Sequence, residues 1–150
     1  MERNQVETKY KWKITDLFET DEDWERAFAE ADGLIDFSEF AGRLGDKRQL
    51  LAMLKKNDEL SRKIERVFLY ASMKSDEDKR ISKYTAYDSK CAALYSRYSA
   101  AMAFFEPEMA AQSEDYIRSL IADKDFSDYD YMLSLLLKRK KHVIPEEQEK

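Results

Sequence analysis

"YTAYDSKCAALYSRYSAAMAFF", residues 84–105, holds Tyr84, Tyr87, Cys91, Leu94, Tyr98, Ala101 and Phe105 at alternating steps of three and four. Such spacing puts one apolar side chain on the same side of a helix at every turn, which predicts a long helix up to Phe105. Ala86, Ala92, Ala93, Ala100 and Ala103 lie beside that seam, and small residues there predict close approach by neighbouring helices. The expectation is a central helix. Pro107 ends it: proline cannot donate to the preceding turn and pushes Glu106 out of helical geometry, so a new turn is expected to start at Pro107.

The same logic extends in both directions. Leu50, Leu51, Met53, Leu54, Leu60, Ile64, Val67, Phe68 and Ala71 predict an amphipathic helix over about residues 46–74, with Ser75 or Asp76 placed to cap the next helix. Thr20 and Asp23 have capping-box spacing, and a helix is expected from about Asp21 towards Arg43, carrying Trp24, Phe28, Ala31, Ile35 and Phe40, with Gly33 as its weak point. Before it, "KYKWKITDLF" alternates lysines with Tyr10, Trp12 and Ile14 and reads as an extended arm whose aromatics lie across a helical surface. Shorter helices are expected at about 113–122 and 127–139, the second opened by Ser127 and Asp130. The fold class is therefore all-α: an antiparallel long-helix bundle (about 21–105) with shorter C-terminal helices (about 107–150), preceded by an extended arm (about 1–19). Three glycines and two prolines in 150 residues are too few turn formers for a sheet-rich alternative.

Composition narrows the functions. A content of 43% hydrophobic residues supplies a core, and a net charge of -5 argues against nucleic acid as the partner. A membrane span of ~20 apolar residues is not found, and neither is the basic-then-apolar order of a signal peptide. The single Cys91 cannot form an internal disulfide. A cytoplasmic protein is the expectation.

Candidate chemistry is sparse. A zinc peptidase site needs two histidines one helical turn apart, whereas the one histidine, His142, follows a basic run and reads as a local cation or cap. Cys91 sits on the seam and reads as a buried small hydrophobe. The triplets at 21–23 and 76–78 lack the alternation and glycine of a calcium loop. Glu106 and Glu108 point about 200° apart on a helix, which opposes an acid/base pair. Tyr70, Tyr84, Tyr87, Tyr95 and Tyr98 could line a peptide-binding groove or pack with their hydroxyls at the rim of the core, and the sequence leaves both open. "IPEEQEK", residues 144–150, opens as a helix would and stops before any apolar face, so the chain is expected to be a piece of a longer protein.

The ordered stretches "YKWKITDLFETDEDWERAFAE", "ERVFLYASMKSDED", "YSAAMAFFEPEMAA" and "YMLSLLLKRKKHVIPEEQEK" resemble the N-terminal region of oligoendopeptidase F, a family of M3-type zinc metallopeptidases. The resemblance implies a helical, non-catalytic lobe whose absent C-terminal partner lobe carries the zinc, so no catalytic, cofactor or metal residue is expected here. It also implies short peptides as substrates of the parent enzyme and a place for this lobe in the substrate-channel wall; Tyr70, Tyr84, Tyr87, Tyr95 and Tyr98, grouped along the second and third helices, are the candidate channel contacts. The alternative is a free-standing helical module that binds peptide or protein without catalysis. Apolar surface left by a missing lobe would favour self-association.

Overall fold

A computed structural model describes residues 5–142. The predicted helix at 144–150 and the role of the His142 side chain lie outside the described residues. The described residues are all-α, in the order α1 (Asp21–Gly33), α2 (Lys47–Glu77), α3 (Ser82–Met102), α4 (Phe105–Ala110), α5 (Glu114–Ile121) and α6 (Asp130–His142), with two short 3₁₀ turns before α1 and one between α5 and α6. They divide into two compact units, residues 5–36 with 57–101 and residues 37–56 with 102–142, so α2 contributes its first part to the second unit and the rest to the first.

In the first unit, the Thr20 hydroxyl accepts the Asp23 N–H at 3.1 Å and starts α1, as its spacing predicts. The helix stops at Gly33, well short of Arg43. Gly costs about 0.5–1 kcal/mol relative to Ala inside a helix. Trp24 and Ala31 are buried in the first unit, while Phe37, Phe40 and Leu44 are buried in a series of tight turns assigned to the second. The arm differs from its expectation too. Turns at Thr8–Tyr10 and Ile14–Asp16 break the period of two, so Ile14 is buried while Tyr10 and Trp12 stand 73% and 67% exposed.

The α2–α3 connection is also shifted from its prediction. Ser75 and Asp76 belong to the last turn of α2, and the turn forms instead at Asp78, whose carboxylate accepts the Arg80 N–H at 3.0 Å and the guanidinium of the same residue. Ser75 is buried and receives Lys79 Nζ at 3.4 Å. Within α3 only Tyr87, Cys91 and Leu94 of the seam are buried. Ala86, Ala92, Ala93, Ala100 and Ala103 are exposed, so among the described residues these alanines do not receive a neighbouring helix.

In the second unit α3 ends at Met102, and α4 begins at Phe105, two residues before the predicted Pro107 start. Pro107 then lies in the first turn, where a missing N–H goes unused by the helix. Glu108 clamps the preceding loop: its two carboxylate oxygens accept the N–H groups of Gly42 and Leu44, each at 2.8 Å. Gly42 adopts φ +77°, a conformation that suits glycine. Tyr116 donates to the Leu44 carbonyl at 2.8 Å, and Ser113 caps α5 by accepting the Tyr116 N–H. A turn over Lys124–Tyr129, capped by Asp123, replaces the predicted Ser127 start and leads into α6, which packs on α5. Arg139 pairs with Glu106 at 3.3 Å and Lys140 reaches the Ala110 carbonyl, so Glu106 and Glu108 serve different contacts.

Candidate functional site

The site is built within the first unit from α2 and α3, which run antiparallel. Val67 accepts the Cys91 thiol, Ser72 donates to Asp88, and Tyr98 meets Asn57 and Ser61, so the pairing number falls on one helix as it rises on the other. One side of this pair is fastened to α1. Trp24, fully buried, donates its indole N–H to the Val67 carbonyl at 2.8 Å and stacks on Tyr87 with ring centroids 3.8 Å apart. Asp21 accepts Tyr70 at 2.7 Å and Tyr84 at 3.1 Å and pairs with Lys83 at 2.8 Å. Tyr87 donates to Glu25 at 2.8 Å.

The electrostatics of this node reflect its contacts. Burial by itself would raise the Asp21 pKa, but hydrogen bonds from Lys83, Tyr70 and Tyr84 outweigh it and hold the carboxyl below its ordinary value. Burial first, and the Asp21 carboxylate second, push the Tyr70 hydroxyl up. Burial first, then the Glu25 carboxylate, raise Tyr87. Cys91 rises to about 11 through burial, with a smaller contribution from the Asp88 charge, so its thiolate is suppressed at neutral pH.

The outer side of the same helix pair is a groove of about 660 Å³ lined by Ser61, Ile64, Glu65, Phe68, Leu69, Ser72, Tyr95 and Tyr98. Phe68 and Leu69 are nearly half exposed, and Tyr95 is 56% exposed. Tyr98 holds one edge by donating to Asn57 Oδ1 at 2.7 Å, with the Ser61 hydroxyl 3.2 Å away. A concave, mainly apolar surface of this size with a few fixed polar groups is suited to binding a ligand.

The five tyrosines therefore separate. Tyr70, at 2% exposure, and Tyr87, at 3%, are core residues with hydroxyls on α1 carboxylates, and Tyr84 shares Asp21 with Tyr70. Tyr95 and Tyr98 line the groove. Sequence reasoning missed Glu65, Leu69, Ser61 and Ser72, and placed Phe68 on the core face. The signal was in "VFLYA", residues 67–71: five consecutive apolar residues overfill one helical face, so once Val67, Tyr70 and Ala71 turn inward, Phe68 and Leu69 remain outside. Among the described residues no group of three or more His, Cys, Asp and Glu could hold a metal ion, so these residues do not fit a zinc site.

Comparison with known proteins extends these observations. A family model described as Oligopeptidase F matches residues 108–150. The Group B oligopeptidase PepB of Streptococcus agalactiae is 38% identical across 98% of this chain and 25% of its own length. The plasmid-borne oligoendopeptidase F of Lactococcus lactis subsp. cremoris is 30% identical across 99% of this chain and 25% of its own length. This chain matches the N-terminal region of oligoendopeptidase F. It spans about a quarter of the length of these two relatives. Oligopeptidase PepF of Bacillus subtilis is 29% identical across 99% of this chain and 22% of its own length. A crystal structure of a protein from Chlamydophila abortus shares the fold, with a TM-score of 0.84 at 17% identity over 99% of this chain and 26% of that one.

Proposed function

We propose that this chain is the non-catalytic N-terminal helical lobe of a longer, cytoplasmic, oligoendopeptidase F-like zinc endopeptidase acting on short peptides. Its α2–α3 groove would form part of the wall along which those peptides pass. The observation that carries this reading is similarity over 98% of this chain to only 25% of a protein named an oligopeptidase. A quarter-length match suits one lobe better than a whole enzyme. Zinc is expected in the remainder of the parent protein, and no step of peptide hydrolysis is assigned to residues 5–142.

The native reading frame tests the proposal. It is expected to continue past Lys150 and to encode two histidines four residues apart with a glutamate between them, the spacing that lets both imidazoles face one zinc. A stop codon directly after Lys150 would overturn the proposal and favour a free-standing binding module, which the open groove would also serve.

A further inference from the structure

We infer that Glu65 makes the α2–α3 groove selective for a peptide carrying a basic side chain next to an apolar one, the apolar group seated against Phe68, Leu69 and Tyr95. The inference rests on the reading of the groove as a peptide-facing wall, and adds a charge preference to it. Glu65 is the one charged residue in the lining, and among the described residues it makes no hydrogen bond or ion pair. The other polar lining groups are engaged: Ser61 with Tyr98, Tyr98 with Asn57, and Ser72 with Asp88.

Neighbouring cations are directed elsewhere. Arg66 binds the Leu17 carbonyl and lies 4.7 Å over the Phe18 ring. Lys63 pairs with Glu30 and Glu59, and Arg97 with Asp32. Arg62, three residues before Glu65, is exposed and not part of the lining. Asp88 places a second carboxylate at the Ser72 end. The groove thus combines apolar walls with a carboxylate that makes no ion pair, which favours a cationic, partly apolar occupant. A volume of about 660 Å³ is within the ~300–1,000 Å³ range of small-ligand sites and accommodates neighbouring peptide side chains. A second copy of the chain, at net charge -5, is the less complementary occupant.

The test is an NMR titration of the full chain, ¹⁵N-labelled, with a capped pentapeptide containing Phe and Leu followed by Lys, and with versions carrying norleucine or Glu in place of Lys. The Lys peptide should bind about two- to five-fold tighter than the norleucine peptide at low ionic strength, the range of exposed ion pairs. Perturbations should map to the groove lining, and high salt should remove the advantage. Glu65→Gln should abolish it while keeping binding of the norleucine peptide. Phe68→Ala should weaken both peptides; both sites are exposed, so circular dichroism should remain unchanged. Groove binding that is equal for Lys and norleucine, or unaltered discrimination in Glu65→Gln, would overturn the charge inference alone. No groove perturbation by any peptide would overturn the peptide-wall reading with it, as would sedimentation showing a dimer that Phe68→Ala dissociates.

Discussion

At the scale of single residues, the strongest local constraint in the first unit is Asp21, because one carboxylate satisfies groups from α2 and α3 together. Its side chain is only 16% exposed and pairs with Lys83 while accepting two tyrosine hydroxyls. Asp21→Asn should lower stability at pH 7 by about 1–3 kcal/mol, the range for weakening buried hydrogen bonds to a charged group. The pH dependence has a definite sign. The folded-state pKa lies below the ordinary 3.8, so the unfolded chain binds the proton first as pH falls. The carboxylate's contribution is present above about pH 4 and is lost as pH drops through the folded pKa. Urea unfolding from pH 7 to pH 2 should therefore show a gap between the native protein and Asp21→Asn that narrows below about pH 4. A gap independent of pH would mean that the charge contributes nothing. Thr20 was legible in the sequence because a cap acts over three residues, whereas the partners of Asp21 lie 49 and 63 residues away.

Among the elements, helix identity followed from periodicity while several ends did not. The seam of α3 was correct in kind, but the helix stops at Met102, short of the predicted Phe105, which instead opens α4 two residues before Pro107. Gly33, the last residue of α1, and Gly42, inside the α1–α2 connection, make opposite demands. Gly33 has open space where a Cβ would stand and no positive φ, whereas Gly42 has equal space but φ +77°. Gly33→Ala should thus stabilise by about 0.4–1 kcal/mol through a less flexible unfolded chain. Gly42→Ala should destabilise by about 1–2 kcal/mol, because an L side chain in that region meets the following carbonyl. Denaturant midpoints moving in opposite directions would verify the pair. Loss of stability in both would overturn the reading that the backbone at Gly33 accepts a side chain without strain.

For the molecule as a whole, the proposed role as one lobe of a longer peptidase, which rests on a match to about a quarter of its relatives' length, leads to one expectation about activity. The chain alone should show no chelator-sensitive cleavage of short peptides in a fluorogenic assay with zinc added; zinc-dependent turnover by these 150 residues would overturn the proposed non-catalytic role. The sequence by itself determined that the fold is all-α, which helices carry apolar faces, where α1 starts, and which family the chain resembles. Each of these depends on spacing over a few turns or on ordered local stretches, and such information is written along the chain. Only the tertiary structure decided that Tyr70 and Tyr87 face inward while Tyr95 and Tyr98 line a groove, and that Glu65 stands there without a counter-charge. The physical reason is that α2 and α3 carry apolar residues on more than one face. Periodicity shows that such a face exists, but α1 occupies one of them, and that choice alone leaves the other open.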